Sequence, residues 1–206
     1  MAAIAIVVAP EPRTYSVVNL GNPAFALALV GGIFAAADQD QKQAKLSAAL
    51  RAERFSVRQT LGATLAARLA ANGYRTRIVD GAWQEKDGRY LLRTDLIADG
   101  ADGADAVLVV TPVSAGFVAP APASDYVPAV TVHVRLLGAD GRTELYRAIH
   151  AAGWQPGHTS GWRFTPASQH FGDFQALMEK PAVSAEALAA SAAAVAASIA
   201  KDLVRP

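Results

Sequence analysis

The sequence predicts an α+β sandwich: a mixed, mostly antiparallel sheet of about four to five strands, packed by helices around 56–72 and 184–204. Three observations lead there. Val57, Leu61, Leu65 and Leu69 recur at helical spacing, as do Leu188, Val195, Ile199 and Leu203. Between these two segments lie AVLVVTPV (106–113), VPAVTVHVRLL (127–137) and TELYRAIHA (143–151), β-branched runs separated by turn residues. A helix with one apolar stripe and a sheet with one apolar face bury both by stacking on each other. An extra apolar helical segment near the amino terminus is expected beside this core.

Taken in order, AIAIVV (3–8) and TYSVVNL (14–20) read as short extended segments separated by Pro10 and Pro12. Asn22-Pro23 predicts a helix start, with Asn as N-cap and Pro at the first helical position. The apolar run Ala24 to Ala37 follows. It is fourteen residues long, short of the roughly 20 that span a bilayer. It lacks the Lys and Arg that flank an interfacial anchor. Gly31-Gly32 weakens a helix interior and is read as interrupting a single helix. Burial is therefore expected, within the monomer or against a second copy. Phe25, Leu27, Gly31, Gly32 and Phe34 are the candidate interface residues. From Asp38 the pattern turns polar and helical. Residues 1–55 are assigned to this extended and apolar-helical region and 56–206 to the α/β domain, the two forming one compact unit.

Ser56 and Gln59 form a capping box that opens the second helix, and Asn72-Gly73 closes it. Residues 74–79 alternate as a half-exposed strand does. Asp87-Gly88 is a turn signal, and Leu91, Leu92, Leu96 and Ile97 read as a short helix. After the strand at 106–113 comes a Pro-rich connection, Ser114 to Tyr126. Asp140-Gly141 turns the hairpin between 127–137 and 143–151. A Gly- and aromatic-rich stretch covers 153–174, with a short helix from Phe171 to Met178. Ser184 starts the terminal helix.

Composition narrows the function classes. The 206 residues are 52% hydrophobic, much of it alanine, and 18% charged, which argues against general disorder. Nineteen basic and eighteen acidic side chains leave +1, so there is no electrostatic footprint for nucleic acid. With no cysteine, disulfides, thiolate metal sites and cysteine catalysis are excluded. The opening MAAIAIVVAPEPRTY has no positive n-region or cleavage pattern, and reads as a mature chain with an added start Met or as a cytosolic start.

No GxSxG elbow, P-loop or dinucleotide fingerprint appears. Among the four histidines, His133 and His150 are expected to face each other across the hairpin, without a third metal ligand. Asp99, Asp102 and Asp105 lack the alternate spacing of a calcium loop and read as a polar cap for the next strand. Ser160, His158 and Asp173 are close in sequence, but nothing fixes their geometry. No catalytic, cofactor-binding or metal residue is assigned. The expected partner or ligand contacts are Phe117 and Tyr126 in the Pro-rich connection, and Trp154, His158, Trp162 and Phe164 in the aromatic stretch. Aromatic rings beside hydrogen-bonding groups can hold sugars or peptides, and the competing reading is that these rings cover the open end of the sheet as core.

The segments LAARLAANGYRTRIV (65–79), DGADAVLVVTPVSAGF (102–117) and DYVPAVTVHVRLLGADGRTELYRAIHAAGW (125–154) carry a resemblance. In order and character they resemble small bacterial cell-envelope proteins, often lipoproteins. Their α/β domain is like the amino-terminal domain of the Tol-system protein TolB and like transport-auxiliary and curli-secretion lipoproteins. The resemblance implies a non-enzymatic accessory protein in the periplasm or on the periplasmic face of the outer membrane. It would act by binding or assembly with other envelope components, with a homo-oligomer open and no nucleic-acid partner. Membrane association would need a tether that the chain as given lacks. The resemblance transfers no catalytic residue. The alternatives are a carrier or sensor of a glycan or apolar ligand through 154–174, and a hydrolase centred on His158.

Overall fold

The computed structural model describes residues 2–20, 28–80, 82–86, 89–93, 103–121, 123–157 and 159–204. Its elements are β1 (Ala3–Val8), β2 (Ser16–Asn19), α1 (Ala28–Ala52), α2 (Val57–Ala71), β3 (Arg75–Ile78), β4 (Trp83–Lys86), β5 (Arg89–Leu92), β6 (Ala106–Ala119), β7 (Val127–Gly138), β8 (Glu144–Gly153), β9 (Arg163–Pro166), α3 (Phe174–Glu179) and α4 (Pro181–Asp202). The α+β class and the mixed sheet are as the sequence predicts. The sheet has seven strands rather than four to five, in the order β3-β1-β6-β7-β8-β9, with β2 also on β6. The long ladders β6–β7 and β7–β8 are antiparallel. The short strands add parallel pairs: β3 on β1, β1 and β2 on β6, β9 on β8.

β6 accounts for much of the difference. Pro112 lies inside the predicted strand at 106–113, and β6 runs on past it through Gly116 to Ala119. Its register against β7 shifts between Pro112 and Ser114. Such an irregularity is where a sheet accommodates a residue with no N–H. Beyond it, Ala115, Phe117, Val118 and Ala119 are buried. The predicted Ser114–Tyr126 connection therefore shrinks to the residues after Ala119. β1 and β2 lie one after the other along β6, pairing with Ala106–Val110 and Gly116–Ala119. The chain leaves the sheet between them.

That excursion carries Glu11 to the start of α2. Its carboxylate accepts the N–H groups of Val57 and Arg58, both at 3.1 Å, and the Ser56 hydroxyl at 2.6 Å. The Tyr15 hydroxyl donates to it as well. Ser56 meanwhile accepts the Gln59 N–H at 3.1 Å, as the capping box predicts. An anion on the unpaired N–H groups of a helix start is favourable through both hydrogen bonding and the helix dipole. Glu11→Ala removes four acceptor contacts at once. We expect it to cost about 2 kcal/mol, against about 1 kcal/mol for Ser56→Ala. Urea unfolding of the two variants checks the order.

α2 and α4 cover one face of the sheet. Leu61, Leu65, Leu69, Leu188, Val195 and Ile199 meet Ile4, Ile6, Val8, Leu108, Val110, Val130, Val132 and Val134, all buried. Leu46 and Leu50 of α1 join the same core, so residues on both sides of position 55 share it. The opposite face buries Ala5, Val7, Val107, Val109 and Leu137, with Trp83 and Leu92 of the β4–β5 hairpin packed against them. Residues 89–92 are thus a strand paired with 83–86, not the start of a short helix. Leu96, Ile97 and the Asp87-Gly88 turn signal lie outside the described residues.

α1 passes through Gly31-Gly32 as one helix to Ala52, which corrects the expected interruption. Two helical glycines cost about 2 kcal/mol, which a 25-residue helix anchored by buried Leu46 and Leu50 can absorb. The Asn22-Pro23 start lies outside the described residues. α4 is the one described helix long and apolar enough to cross a membrane, but half of its apolar window is buried against the protein.

Candidate functional site

The expected contact residues do not gather in one place. Phe117 is fully buried and meets Phe171 edge-on, with ring centroids 5.5 Å apart and planes at 88°. Tyr126 is buried beside it and exchanges backbone hydrogen bonds of 2.7 and 2.9 Å with Phe171. Both are core residues rather than surface contacts. Trp154 and Trp162 are half-buried, and Phe164 on β9 is 40% exposed. Gly31, Gly32 and Phe34 lie on α1. Phe25, Leu27 and His158 lie outside the described residues. Asp105 accepts the Ala3 N–H at 2.7 Å, so it caps the start of β1 rather than the strand that follows it, while Asp99 and Asp102 lie outside the described residues.

The two hairpin histidines do not face each other. His133 pairs with Ile149 and His150 with Val132, so they occupy opposite faces of the sheet. His150 points under α4 and is 0% exposed. Its Nδ1 lies 2.9 Å from the Ser198 hydroxyl, and its Nε2 lies 3.1 Å from the Tyr146 hydroxyl. Tyr146 donates to Asp202 at 2.7 Å, and Arg163 Nε donates to the same carboxylate oxygen at 2.9 Å. Five side chains from β8, β9 and α4 thus form one connected polar cluster.

Local geometry explains how they meet. Tyr146 and His150 are four apart on a strand and share a face. Ser198 and Asp202 are four apart on a helix and share another. Parallel pairing of β9 sets Arg163 beside His150. Beside the cluster, between β9 and α4, a groove of about 670 Å³ opens. Phe164, Ala194 and Ala197 give it apolar surface, and Arg163, Ser198, Lys201 and Asp202 its polar surface.

The electrostatics favour a neutral imidazole above an ionised carboxylate. Burial pushes His150 down to about 4, the nearby Asp202 charge opposing only in part. Burial works against ionising Asp202, but hydrogen bonds from Tyr146 and Arg163 outweigh it and hold its carboxyl below the usual range. Burial, then the bond to Asp202, raises Tyr146, so its hydroxyl keeps its proton.

A pH dependence follows from His150. Its folded value lies below its unfolded value of 6.5, so between the two the unfolded chain binds a proton that the native protein does not. Stability is therefore lost as pH falls from 6.5 towards 4, by about 2–3 kcal/mol from this group. The stability difference between the native protein and His150→Gln is expected to narrow over that interval in urea titrations at stepped pH.

The sequence reading passed over this cluster. The signals were the like-faced pairs Tyr146/His150 and Ser198/Asp202, but only the fold brings the two pairs together. Among the described residues no group of three His, Asp or Glu side chains is placed to hold a metal ion. No family model matches the chain, and neither a curated protein nor a solved structure matches it.

Proposed function

We propose that the chain is an accessory protein of the bacterial envelope that works by binding another envelope component, with the β9–α4 groove as its contact surface. The observation that carries this reading is Phe164, 40% exposed on a short edge strand. It borders a groove whose other apolar surface is Ala194 and Ala197. An exposed ring beside small residues, with charged groups around it, is how a binding anchor is usually presented. The envelope setting and the periplasmic location rest on the resemblance to TolB-like and transport-auxiliary lipoprotein domains.

The test is a photo-crosslinking amino acid at position 164, with position 85 on the exposed part of β4 as control. In periplasmic expression, position 164 is expected to give discrete adducts with an envelope protein, and position 85 none. Equal adducts at both positions, or none at 164, would overturn the groove as the contact surface. A second reading, a carrier of an apolar ligand, draws on the same exposed ring. Saturable binding of a fluorescent fatty acid, lost in Phe164→Ser, would select it.

A further inference from the structure

We propose that Ser198 is an activated nucleophile, able to take an acyl group from a carboxylic ester seated in the β9–α4 groove. This goes beyond the binding reading, because it assigns chemistry to the groove.

The direction of every hydrogen bond in the cluster follows from counting protons. The Asp202 carboxylate has only lone pairs, so Tyr146, at 2.7 Å, must donate to it. A tyrosine hydroxyl has one proton. His150 Nε2, 3.1 Å from the Tyr146 oxygen, must therefore bring its own. A neutral imidazole carries one N–H, so Nδ1 is bare. The Ser198 hydroxyl, at 2.9 Å, then donates to Nδ1. The chain runs Ser198 to His150 to Tyr146 to Asp202 without a conflict, and Arg163 anchors its far end at 2.9 Å. A serine donating to a bare, oriented imidazole nitrogen is the activated pair of acyl-transfer chemistry. Ser198 also lines the groove, while the imidazole behind it is buried.

The step balances. The Ser198 oxygen attacks the ester carbonyl carbon, forming a C–O bond, as its proton passes to His150 Nδ1. The imidazolium is stabilised through Tyr146 by Asp202, whose carboxylate lies 4.0 Å from Nε2. The developing oxyanion lies in a groove bordered by Lys201 and by Arg163, which has N–H groups beyond the one given to Asp202. The ester C–O bond breaks, and the departing alkoxide takes the proton from Nδ1. Acyl-Ser198 and an alcohol result. Water, deprotonated by His150 in the same way, then releases the acid and restores the serine. Phe164, Ala194 and Ala197 favour an apolar acyl chain.

The probes are a fluorophosphonate, which traps such serines covalently, and p-nitrophenyl butyrate. Intact-mass and peptide analysis should find one adduct, on Ser198. Ser198→Ala should abolish the adduct and the hydrolysis. His150→Gln should slow labelling at least tenfold, and Tyr146→Phe severalfold with a changed pH profile. Ser191→Ala, whose hydroxyl instead donates to the Pro128 carbonyl, should label as the native protein does. Circular dichroism confirms that each variant is folded. No adduct on the folded native protein, or an adduct undiminished in Ser198→Ala, would overturn the proposal. Crosslinking at position 164 reads the binding function separately and would stand in either case.

Discussion

Phe117→Ala is expected to lower the unfolding free energy by about 3–5 kcal/mol, among the largest losses available in this chain. Phe117 sits in the part of β6 held between β2, where it pairs with Val17, and β7, where it pairs with Pro128. It is 0% exposed. Its ring fills the space against Phe171, the residue that ties the segment before α3 back to Tyr126. Alanine leaves a cavity that strand pairing on both sides prevents from closing, so the lost transfer energy and the cavity cost add. A surface contact residue, as the sequence suggested, would change stability by about 0.5 kcal/mol or less. Urea unfolding with an unchanged m-value decides between the two.

Gly153→Ala is expected to cost about 2–5 kcal/mol, combining a left-handed backbone with an overlap that must be relieved. Gly153 ends β8 with φ +83°, and a Cβ there would lie 1.9 Å from the Pro128 carbonyl oxygen. That atom belongs to the backbone of β7, so relief requires the β7–β8 ladder to move. β9 pairs onto this end of β8, with Gly153 opposite Pro166, so the groove should distort as well. Gly157 is the control, because a Cβ there meets nothing within 4 Å. Gly157→Ala should stay within about 0.5 kcal/mol of the native protein in the same titration.

Local signals in the sequence located the elements that local chemistry dictates. The Ser56 box, the Leu61-Leu65-Leu69 stripe and the Leu188-Val195-Ile199 stripe each state a helix and its buried face, and each is buried accordingly. The Asp140-Gly141 turn between two β-branched runs did the same for the β7–β8 hairpin. Elements defined by their neighbours were not legible. RFTP has no strand periodicity of its own, and becomes β9 because the edge of β8 offers it a ladder. The continuation of β6 beyond Val113 is of the same kind, because only the close approach of Ser16 shows why a glycine stands at 116 within a strand.

The polar cluster was hidden for the same reason. Ser198 lies 48 positions from His150, and Asp202 lies 56 from Tyr146, so no local window contains the group. Each residue alone has an ordinary explanation: a helix serine, a strand tyrosine, an ion pair at a helix end. The aromatic stretch divided in a way that composition could not foresee. Phe171 went to the core, while Phe164, on the edge strand β9, is 40% exposed.

The proton positions in the His150 cluster are the point on which the chemistry rests, and nitrogen NMR of the imidazole reads them directly. At pH 7 the expected result is a neutral ring with the proton on Nε2 and a bare, hydrogen-bond-accepting Nδ1, the pattern collapsing in Tyr146→Phe. A proton on Nδ1, or an imidazolium at that pH, would contradict it.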